Sequence, residues 1–179
     1  MTYAGSLENL AEVEHCPNYS FIHGDIADEA LVDQLFSEGK PFAIINFAAE
    51  SHVDRSILSS RPFLQTNVQG VQTLLDAARK FQIERFVQIS TDEVYGDIPE
   101  EYPPATEEAP LHPSNPYSAS KAAADLLCLA YLRTYQLPVL VVRSSNNYGP
   151  HQFPEKLIPL IIRNAMEGRI LPIYGDGKQ

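Results

Sequence analysis

The chain has 179 residues, 44% of them hydrophobic, and a formal net charge of −10 at pH 7. This composition indicates a globular protein, and the acidic balance argues against nucleic-acid or anionic-membrane partners, which need a basic surface. No apolar run approaches the ~20 residues of a membrane span, and we find no signal-peptide pattern. Cys16 and Cys128 lie far apart without metal or redox spacing, which predicts reduced thiols in a cytoplasmic protein.

The first half of the chain alternates apolar runs with helical patterns. Residues 19–25 predict the end of a strand, and a helix follows between Asp28 as N-cap and Gly39 as its stop. The continuous apolar run 42–49 predicts a strand covered on both faces. A helical region interrupted near Pro62 comes next. The second half of that region has one apolar face, formed by Val68, Val71, Leu74, Leu75 and Ala78.

The alternation continues in the second half. Residues 85–91 and 139–145 predict two more strands, the latter buried. Between them lie a proline-rich loop and a helix that begins with Asn115 as cap and Pro116 in its first turn, and ends near Tyr135.

Strands alternating with helices predict an α/β fold with a doubly wound, mostly parallel sheet, whose ligands bind beyond the carboxyl ends of the strands. After residue 145 the pattern changes to a helix within 154–168 and a short apolar run. We therefore expect one domain over 1–145 and the start of a second region over 146–179.

The helix 116–135 is apolar nearly all round. One covered face does not satisfy such a helix. We expect it to pair two copies of the chain in a homodimer, the alternative being burial under loops of the same chain.

Chemistry-bearing residues gather at the end of the strand 85–91. Thr91, Asp92 and Glu93 follow directly, and Tyr117 and Lys121 stand four apart on one face of the next helix. A phenol is a poor base at neutral pH, but a neighbouring ammonium favours phenolate, so this pair predicts a general base.

A Ser or Thr at a strand end, followed by a loop and Tyr-x-x-x-Lys, resembles the short-chain dehydrogenase/reductases, in particular the extended branch that acts on nucleotide sugars. The motifs NFAAESHVDRS, TNVQG, STDEVYG, NPYSASKAAAD and SNNYGP look like those of the dTDP-glucose 4,6-dehydratases, and the resemblance covers essentially the whole chain. Related epimerases usually lack the two acids, and related decarboxylases and GDP-mannose dehydratases typically have Ser where Asp92 stands. The pair Asp92–Glu93 is thus the form typical of dTDP-glucose dehydratases.

This resemblance implies an NAD-dependent hydro-lyase that converts dTDP-glucose to dTDP-4-keto-6-deoxyglucose and water, commonly for dTDP-rhamnose biosynthesis. Tyr117 would remove the 4-hydroxyl proton while hydride passes from C4 to NAD, and Thr91 would bind the 4-oxygen. Glu93 would then take the C5 proton and Asp92 would protonate the departing 6-hydroxyl, before hydride returns to C6 and a proton returns to C5. Adjacent carboxylates in a partly desolvated cleft can differ in pKa as these two roles require.

The resemblance also implies that residues 1–145 are a partial NAD-binding Rossmann domain lacking its first βαβ unit, and that residues 146–179 begin the nucleotide-sugar-binding region. It implies ligand contacts along the chain as well. Those to NAD are Asp25, Ile26, Ala48, Ala49, Thr66, Tyr117, Lys121 and Asn147. Those to the nucleotide sugar are Ser51, Thr91, Asn146, Lys156, Leu157, Pro172, Ile173 and Tyr174. Thr66 has the alternative role of a helix cap, and Lys156 that of a solvated helix residue. His52 and His151 lack metal-ligand spacing, so we expect no metal site.

Members of this family open with a glycine-rich turn that binds the pyrophosphate, and no segment of this chain has that pattern. We therefore expect a chain truncated at both ends, with an open apolar edge at 42–49 and little or no activity of its own. Two alternatives stay open. One is another NAD-dependent nucleotide-sugar dehydratase, decarboxylase or epimerase, and the other is a non-catalytic remnant that binds a nucleotide sugar or a full-length subunit.

Overall fold

The computed structural model describes residues 3–173. Two compact units are present in the chain. One is formed by His23–Ser145, and the other by Met1–Ile22 together with Asn146–Gln179.

The larger unit is built on a parallel sheet of three strands in the order β1-β2-β3. The strands are β1 (Ala43–Asn46), β2 (Arg85–Thr91) and β3 (Val139–Ser144). In the register of the sheet Asn46 lies opposite Gln88, and Thr91 lies opposite Ser144. The predicted α/β class with a parallel sheet is confirmed.

Helix α1 (Glu29–Gly39) begins as predicted, because the Asp28 carboxylate accepts a hydrogen bond from the Leu31 amide at 3.1 Å. Its end differs by one residue from the prediction. Gly39 is the last helical residue, and Lys40 takes the left-handed conformation, with φ of 41°, while its amide donates to the Phe36 carbonyl.

The interrupted helical region consists of α2 (Val53–Leu58), α3 (Arg61–Phe63), a π-helical segment (Leu64–Gly70) and α4 (Val71–Lys80). The interruption lies where it was predicted, since Pro62 falls in the first turn of α3. The predicted apolar face is also confirmed. Four of its members are buried, namely Val71, Leu74, Leu75 and Ala78, and Val68 is half-buried.

Helix α5 (Pro116–Tyr135) carries the predicted cap. The Asn115 side chain accepts from the Ser118 amide at 2.9 Å, and the Ser118 hydroxyl accepts from the Asn115 amide at 3.2 Å. This reciprocal pair fixes where the helix starts, and therefore where Tyr117 and Lys121 stand.

The hydrophobic core joins α1, α4 and α5 to the sheet. Phe86 of β2 and Leu75 of α4 are fully buried at its centre. The other members are Val32, Phe36, Val71, Leu74, Ala77, Ala78, Ile83, Ala124, Cys128, Leu137 and Val139.

Three strand predictions need correction. Residues 19–25 form no strand, because they have no strand partner among residues 3–173. The strand expected over 42–49 is limited to 43–46 and is not covered on both faces, since Ile45 is 59% and the flanking Phe47 is 73% exposed. The strand 139–145 was expected to be buried, yet Leu140 is 53% exposed. β1 and β3 are the outer strands of the described sheet, which leaves the open apolar edge expected at β1.

The smaller unit contains a 3₁₀ turn (Leu7–Leu10) and helix α6 (Leu157–Met166), which is shorter than the predicted 154–168. Within this unit the Tyr3 hydroxyl donates to the Glu155 carboxylate at 2.7 Å, and the ring of Tyr3 packs edge-on against Phe153. Among residues 3–173, no helix combines the length and apolar character that crossing a membrane requires.

Candidate active site

The two acids lie on a short turn that directly follows β2. This 3₁₀ turn, Asp92–Tyr95, is capped by Thr91, whose hydroxyl accepts from the Glu93 amide and donates to Asp92 Oδ1, both at 3.3 Å. The turn ends at Gly96, which has φ of 75°. We call residues 92–95 the acid turn.

The two carboxylates of the acid turn have different surroundings. Asp92 is exposed, whereas Glu93 is half-buried. The side-chain nitrogen Nδ2 of Asn115, the cap of α5, donates to Glu93 Oε2 at 3.5 Å. One acid thus faces solvent and the other lies against the start of α5.

Tyr117, in the first turn of α5, is held by contacts on several sides. It is 8% exposed, and its ring packs edge-on against Phe63 with 6.4 Å between ring centres. Its backbone amide donates to the Ser56 hydroxyl at 3.1 Å. Burial, followed by the charge of Glu93, raises the pKa of Tyr117 to about 12, although a hydrogen bond with Thr91 opposes the rise.

Lys121 lies one turn further along α5 and is 4% exposed. Its ammonium donates to the Ile89 carbonyl of β2 at 2.5 Å. Burial lowers the pKa of Lys121, and the carboxylate of Asp125 opposes this shift. The predicted lowering of the Tyr117 pKa by Lys121 is wrong for this structure, because burial and then the charges of Glu93 and Asp92 raise that pKa, and the Lys121 ammonium is directed at Ile89 instead.

The segment after β1, with its small side chains, is fixed to α5 by a residue that sequence reasoning missed. Asn67, 1% exposed in the π-helical segment, donates to the Glu50 carbonyl at 2.9 Å and to the Ser120 hydroxyl at 2.8 Å. Its Oδ1 accepts from the Glu50 amide at 2.9 Å. The asparagine of the TNVQG motif was the available signal, but only the long-range contacts reveal what it does.

The remaining candidates of the larger unit lie in other segments of the chain. Asp25 is exposed and its Oδ1 accepts from the Ala27 amide at 2.9 Å, while Ile26 is half-buried beside Gly70. Ser51 is exposed. Thr66 lies inside the π-helical segment rather than at a helix start, so the alternative that it caps a helix is wrong.

The other predicted ligand contacts belong to the smaller unit. Asn146 and Asn147 are exposed in the loop after β3, and the Asn147 carbonyl accepts from Gln152 at 3.1 Å. Lys156 is half-buried at the N-cap of α6, and Leu157 starts that helix. Pro172 is half-buried, Ile173 is 77% exposed, and Tyr174 lies outside the described residues.

The residues beyond β1 and β2 fit a dinucleotide cofactor. Ala48 is exposed and Ala49 half-buried, so their small side chains leave the backbone open to close approach by a ligand. The Lys121 ammonium has three N–H groups, of which one is directed at Ile89, so further donors are available for ribose hydroxyls. In the part of the chain from 3 to 173, no cluster of three or more His, Cys, Asp or Glu residues is arranged to hold a metal ion.

Comparison with known proteins identifies the family to which the chain is similar. The family model described as GDP-mannose 4,6 dehydratase matches residues 1–179. A low-salt glycan biosynthesis protein of Haloferax volcanii, Agl12, is 57% identical over 99% of this chain and 56% of its own length. A dTDP-glucose 4,6-dehydratase of Neisseria meningitidis is 53% identical over 100% of this chain and 53% of its own length.

One solved structure is similar to the chain in both fold and sequence. The dTDP-glucose 4,6-dehydratase DesIV of Streptomyces venezuelae, crystallised as a double mutant with NAD, superposes with a TM-score of 0.94 at 51% identity. The match covers 99% of this chain and 54% of that one. The chain thus spans about half the length of the relatives it matches.

Proposed function

Because the chain belongs to the GDP-mannose 4,6-dehydratase family, we propose that it carries the catalytic residues of an NAD-dependent dTDP-glucose 4,6-dehydratase. The proposed reaction converts dTDP-glucose to dTDP-4-keto-6-deoxyglucose and water. It is favoured over epimerisation and decarboxylation by one observation, namely two adjacent acids on the same turn beside the Tyr117–Lys121 helix. Elimination across C5 and C6 needs both a base and an acid, and the acid turn supplies one residue for each role.

Bound NAD would accept hydride from the sugar C4 and later return it to C6. The chain's residues would hold the reactants and move the protons. Thr91 would hydrogen-bond the 4-oxygen, and Tyr117 would take the proton of the 4-hydroxyl. Lys121 would donate to the nicotinamide ribose while its helix keeps it one turn from the phenol.

Tyr117 is protonated at neutral pH in this structure, since its pKa is raised to about 12. It needs additional positive charge nearby in order to act as a base. Lys121 is the cation that this chain places one turn away. Loss of its hydrogen bond to Ile89 would leave the ammonium able to face the phenol.

We assign the base role in elimination to Glu93 and the acid role to Asp92. The Asn115 donor at Glu93 Oε2 suits an ionised carboxylate, which accepts hydrogen bonds and has none to give. Asp92 is the other carboxyl group of the acid turn, and it would donate the proton to the departing 6-hydroxyl.

The proposal includes the ligand contacts. Those to NAD come from Asp25, Ile26, Ala48, Ala49, Thr66 and Asn147. Those to the nucleotide sugar come from Ser51, Asn146, Lys156, Leu157, Pro172, Ile173 and Tyr174. The residues from 146 onward would thereby form the start of the sugar-nucleotide-binding region.

We also propose a homodimer formed through α5. Its solvent side carries large apolar side chains whose burial would be favourable. They are Leu126, Leu129, Leu132 and Tyr135, between 38% and 58% exposed. A cytoplasmic location is part of the proposal and rests on the two widely separated cysteines.

The test is turnover of dTDP-glucose with added NAD, followed by mass spectrometry for the loss of one water. Two proteins are compared: the 179-residue chain, and a chimaera in which these residues replace the matching segment of the Neisseria meningitidis relative. We expect a 4-keto-6-deoxy product from the chimaera and little from the chain alone.

Epimerised or decarboxylated product from the chimaera would move the assignment to another nucleotide-sugar enzyme. A folded chimaera that binds NAD and dTDP-glucose without changing the sugar would favour the non-catalytic alternative. Substitution of Asp92 by Asn in the same chimaera is the matched control, since it keeps the size of the side chain and removes the proton donor.

A further inference from the structure

The buried carboxylate of Asp125 has no part in the chemistry proposed above. Asp125 lies on α5 one turn beyond Lys121 and is 0% exposed. Its Oδ2 accepts a hydrogen bond from Nε of Arg143, on β3, at 2.8 Å. Burial raises the pKa of Asp125, and Arg143 counteracts this rise.

The same arginine reaches the acid turn. Arg143 Nη1 donates to the hydroxyl of Tyr95 at 2.8 Å, and the guanidinium carbon lies 5.1 Å from the centre of the Tyr95 ring. It also donates to the Glu107 carbonyl at 3.1 Å, in the long loop that follows the turn. Tyr95 is the last residue of the turn that carries Asp92 and Glu93.

These contacts form a continuous link between the two halves of the site. One end is Asp125, on the helix of Tyr117 and Lys121, and the other end is Tyr95, on the acid turn. Arg143 joins them with different nitrogens of one planar group, a geometry that lysine cannot reproduce. Burying an ion pair costs desolvation energy that its attraction often fails to exceed, so a contribution to stability alone is a weak reason for this one.

We propose that Arg143 is a positioning residue for the elimination step, which holds the acid turn against the Tyr117–Lys121 helix through Tyr95 and Asp125. This inference rests on the dehydratase function proposed above. A misplacement of about 1 Å at a reacting group can cost about 100-fold in rate. The link therefore affects proton transfer at C5 and at the 6-hydroxyl more than it affects substrate binding.

The guanidinium lies beside open space, which makes it accessible to chemical rescue. Arg143 lines a cavity of 1060 Å³ together with Asp92, Tyr95 and Glu107. A free guanidinium ion can thus enter the place that a truncated side chain leaves. Urea has nearly the same shape without the charge and serves as the control.

The experiment uses the chimaera, with Tyr95→Phe and Arg143→Ala as variants. Tyr95→Phe keeps the ring and removes only the hydroxyl that Arg143 contacts. We expect kcat to fall by about 10- to 100-fold in both variants with little change in KM. Guanidinium, but not urea, should restore part of the activity of Arg143→Ala and none of the activity of Tyr95→Phe.

A second readout separates positioning from loss of structure. With dTDP-glucose deuterated at C5, the isotope effect on kcat should rise in Tyr95→Phe, since elimination becomes the slow step. An isotope effect equal to that of the parent, or a kcat equal to that of the parent, overturns the proposal while the dehydratase assignment stands. An inactive parent chimaera overturns the dehydratase assignment and this proposal with it. If Arg143→Ala fails to fold, Tyr95→Phe alone decides between these outcomes.

Discussion

The two halves of the candidate site are built in opposite ways. Tyr117 and Lys121 lie on a 20-residue helix, each less than 10% exposed, and their positions follow from the helix and its cap. Asp92 and Glu93 lie on a four-residue turn, exposed and half-buried, with side-chain and loop contacts to hold them. The helix half is rigid and desolvated, so its pKa values shift, whereas the turn half depends on neighbours from three other segments.

The largest expected effect comes from the helix half. Replacing Tyr117 by Phe in the chimaera removes the proposed proton acceptor, and turnover should fall by about 100- to 10 000-fold. Tyr135→Phe is the matched control, because Tyr135 lies on the same helix and is 43% exposed. Steady-state turnover measures both, and equal activity in the two variants would remove Tyr117 from the mechanism.

The turn half should be most sensitive to a change in its backbone conformation. Gly96 ends the acid turn with φ of 75°, and an added Cβ would lie 2.1 Å from the His112 carbonyl oxygen. Gly96→Ala should therefore lower the free energy of unfolding of the chain by about 2 kcal/mol. It should also lower the turnover of the chimaera by about tenfold.

The control for this glycine is Gly39→Ala, where an added Cβ would meet no atom within 4 Å. Denaturant unfolding of the 179-residue chain compares the two variants. We expect Gly39→Ala to be neutral or slightly stabilising, since alanine is the better helix former. A Gly96→Ala variant as stable and active as the parent would show that the turn tolerates displacement.

The desolvation of the helix half predicts a pH effect on stability. The pKa of Tyr117 rises from 10.0 to about 12 on folding, so above pH 10 the unfolded chain loses its proton first. Stability is therefore lost as pH rises from 10 to 12. Between pH 8 and pH 11 the parent should lose about 1 kcal/mol more than Tyr117→Phe does. Urea unfolding at both pH values checks this difference, and identical pH dependence would mean that Tyr117 is not desolvated.

The smallest expected effect lies where the two halves meet. Asn115 caps α5 and donates to Glu93. Asn115→Ala should lower the free energy of unfolding by about 1 kcal/mol. Asn115→Asp keeps a capping oxygen and loses the donor, so it should retain stability while turnover of the chimaera falls. If Asn115→Asp lost stability but kept its turnover, the hydrogen bond from Asn115 would not be needed for the role of Glu93.

The features that could be predicted from the sequence differ from those that could not in the same way, namely in how far along the chain their contacts reach. The starts of α1 and α5 followed from local signals, since Asp28, Asn115 and Pro116 are caps or first-turn residues that act on their immediate neighbours. The apolar face of α4 followed from its helical period. These features were predictable because they depend on residues within one or two turns of the chain.

Predictions failed where a residue depends on distant parts of the chain. The exposure of β1 and β3 follows from their places at the edges of the sheet, and the segment 19–25 has no strand partner within 3–173. Lys121 donates to Ile89, 32 residues away, and Arg143 reaches Tyr95, 48 residues away. No local pattern encodes such pairs.

The sequence by itself determined the alternation of strands and helices and the helix caps. It also determined that Tyr117 and Lys121 share one helix face and that two acids directly follow the preceding strand. Those facts are local, because helix period and capping act over a few residues. Only the tertiary structure decided that burial raises the pKa of Tyr117, that Asn67 ties the β1 end to α5, and that Arg143 joins the acid turn to Asp125. Desolvation and long-range hydrogen bonds exist only after packing brings distant segments together.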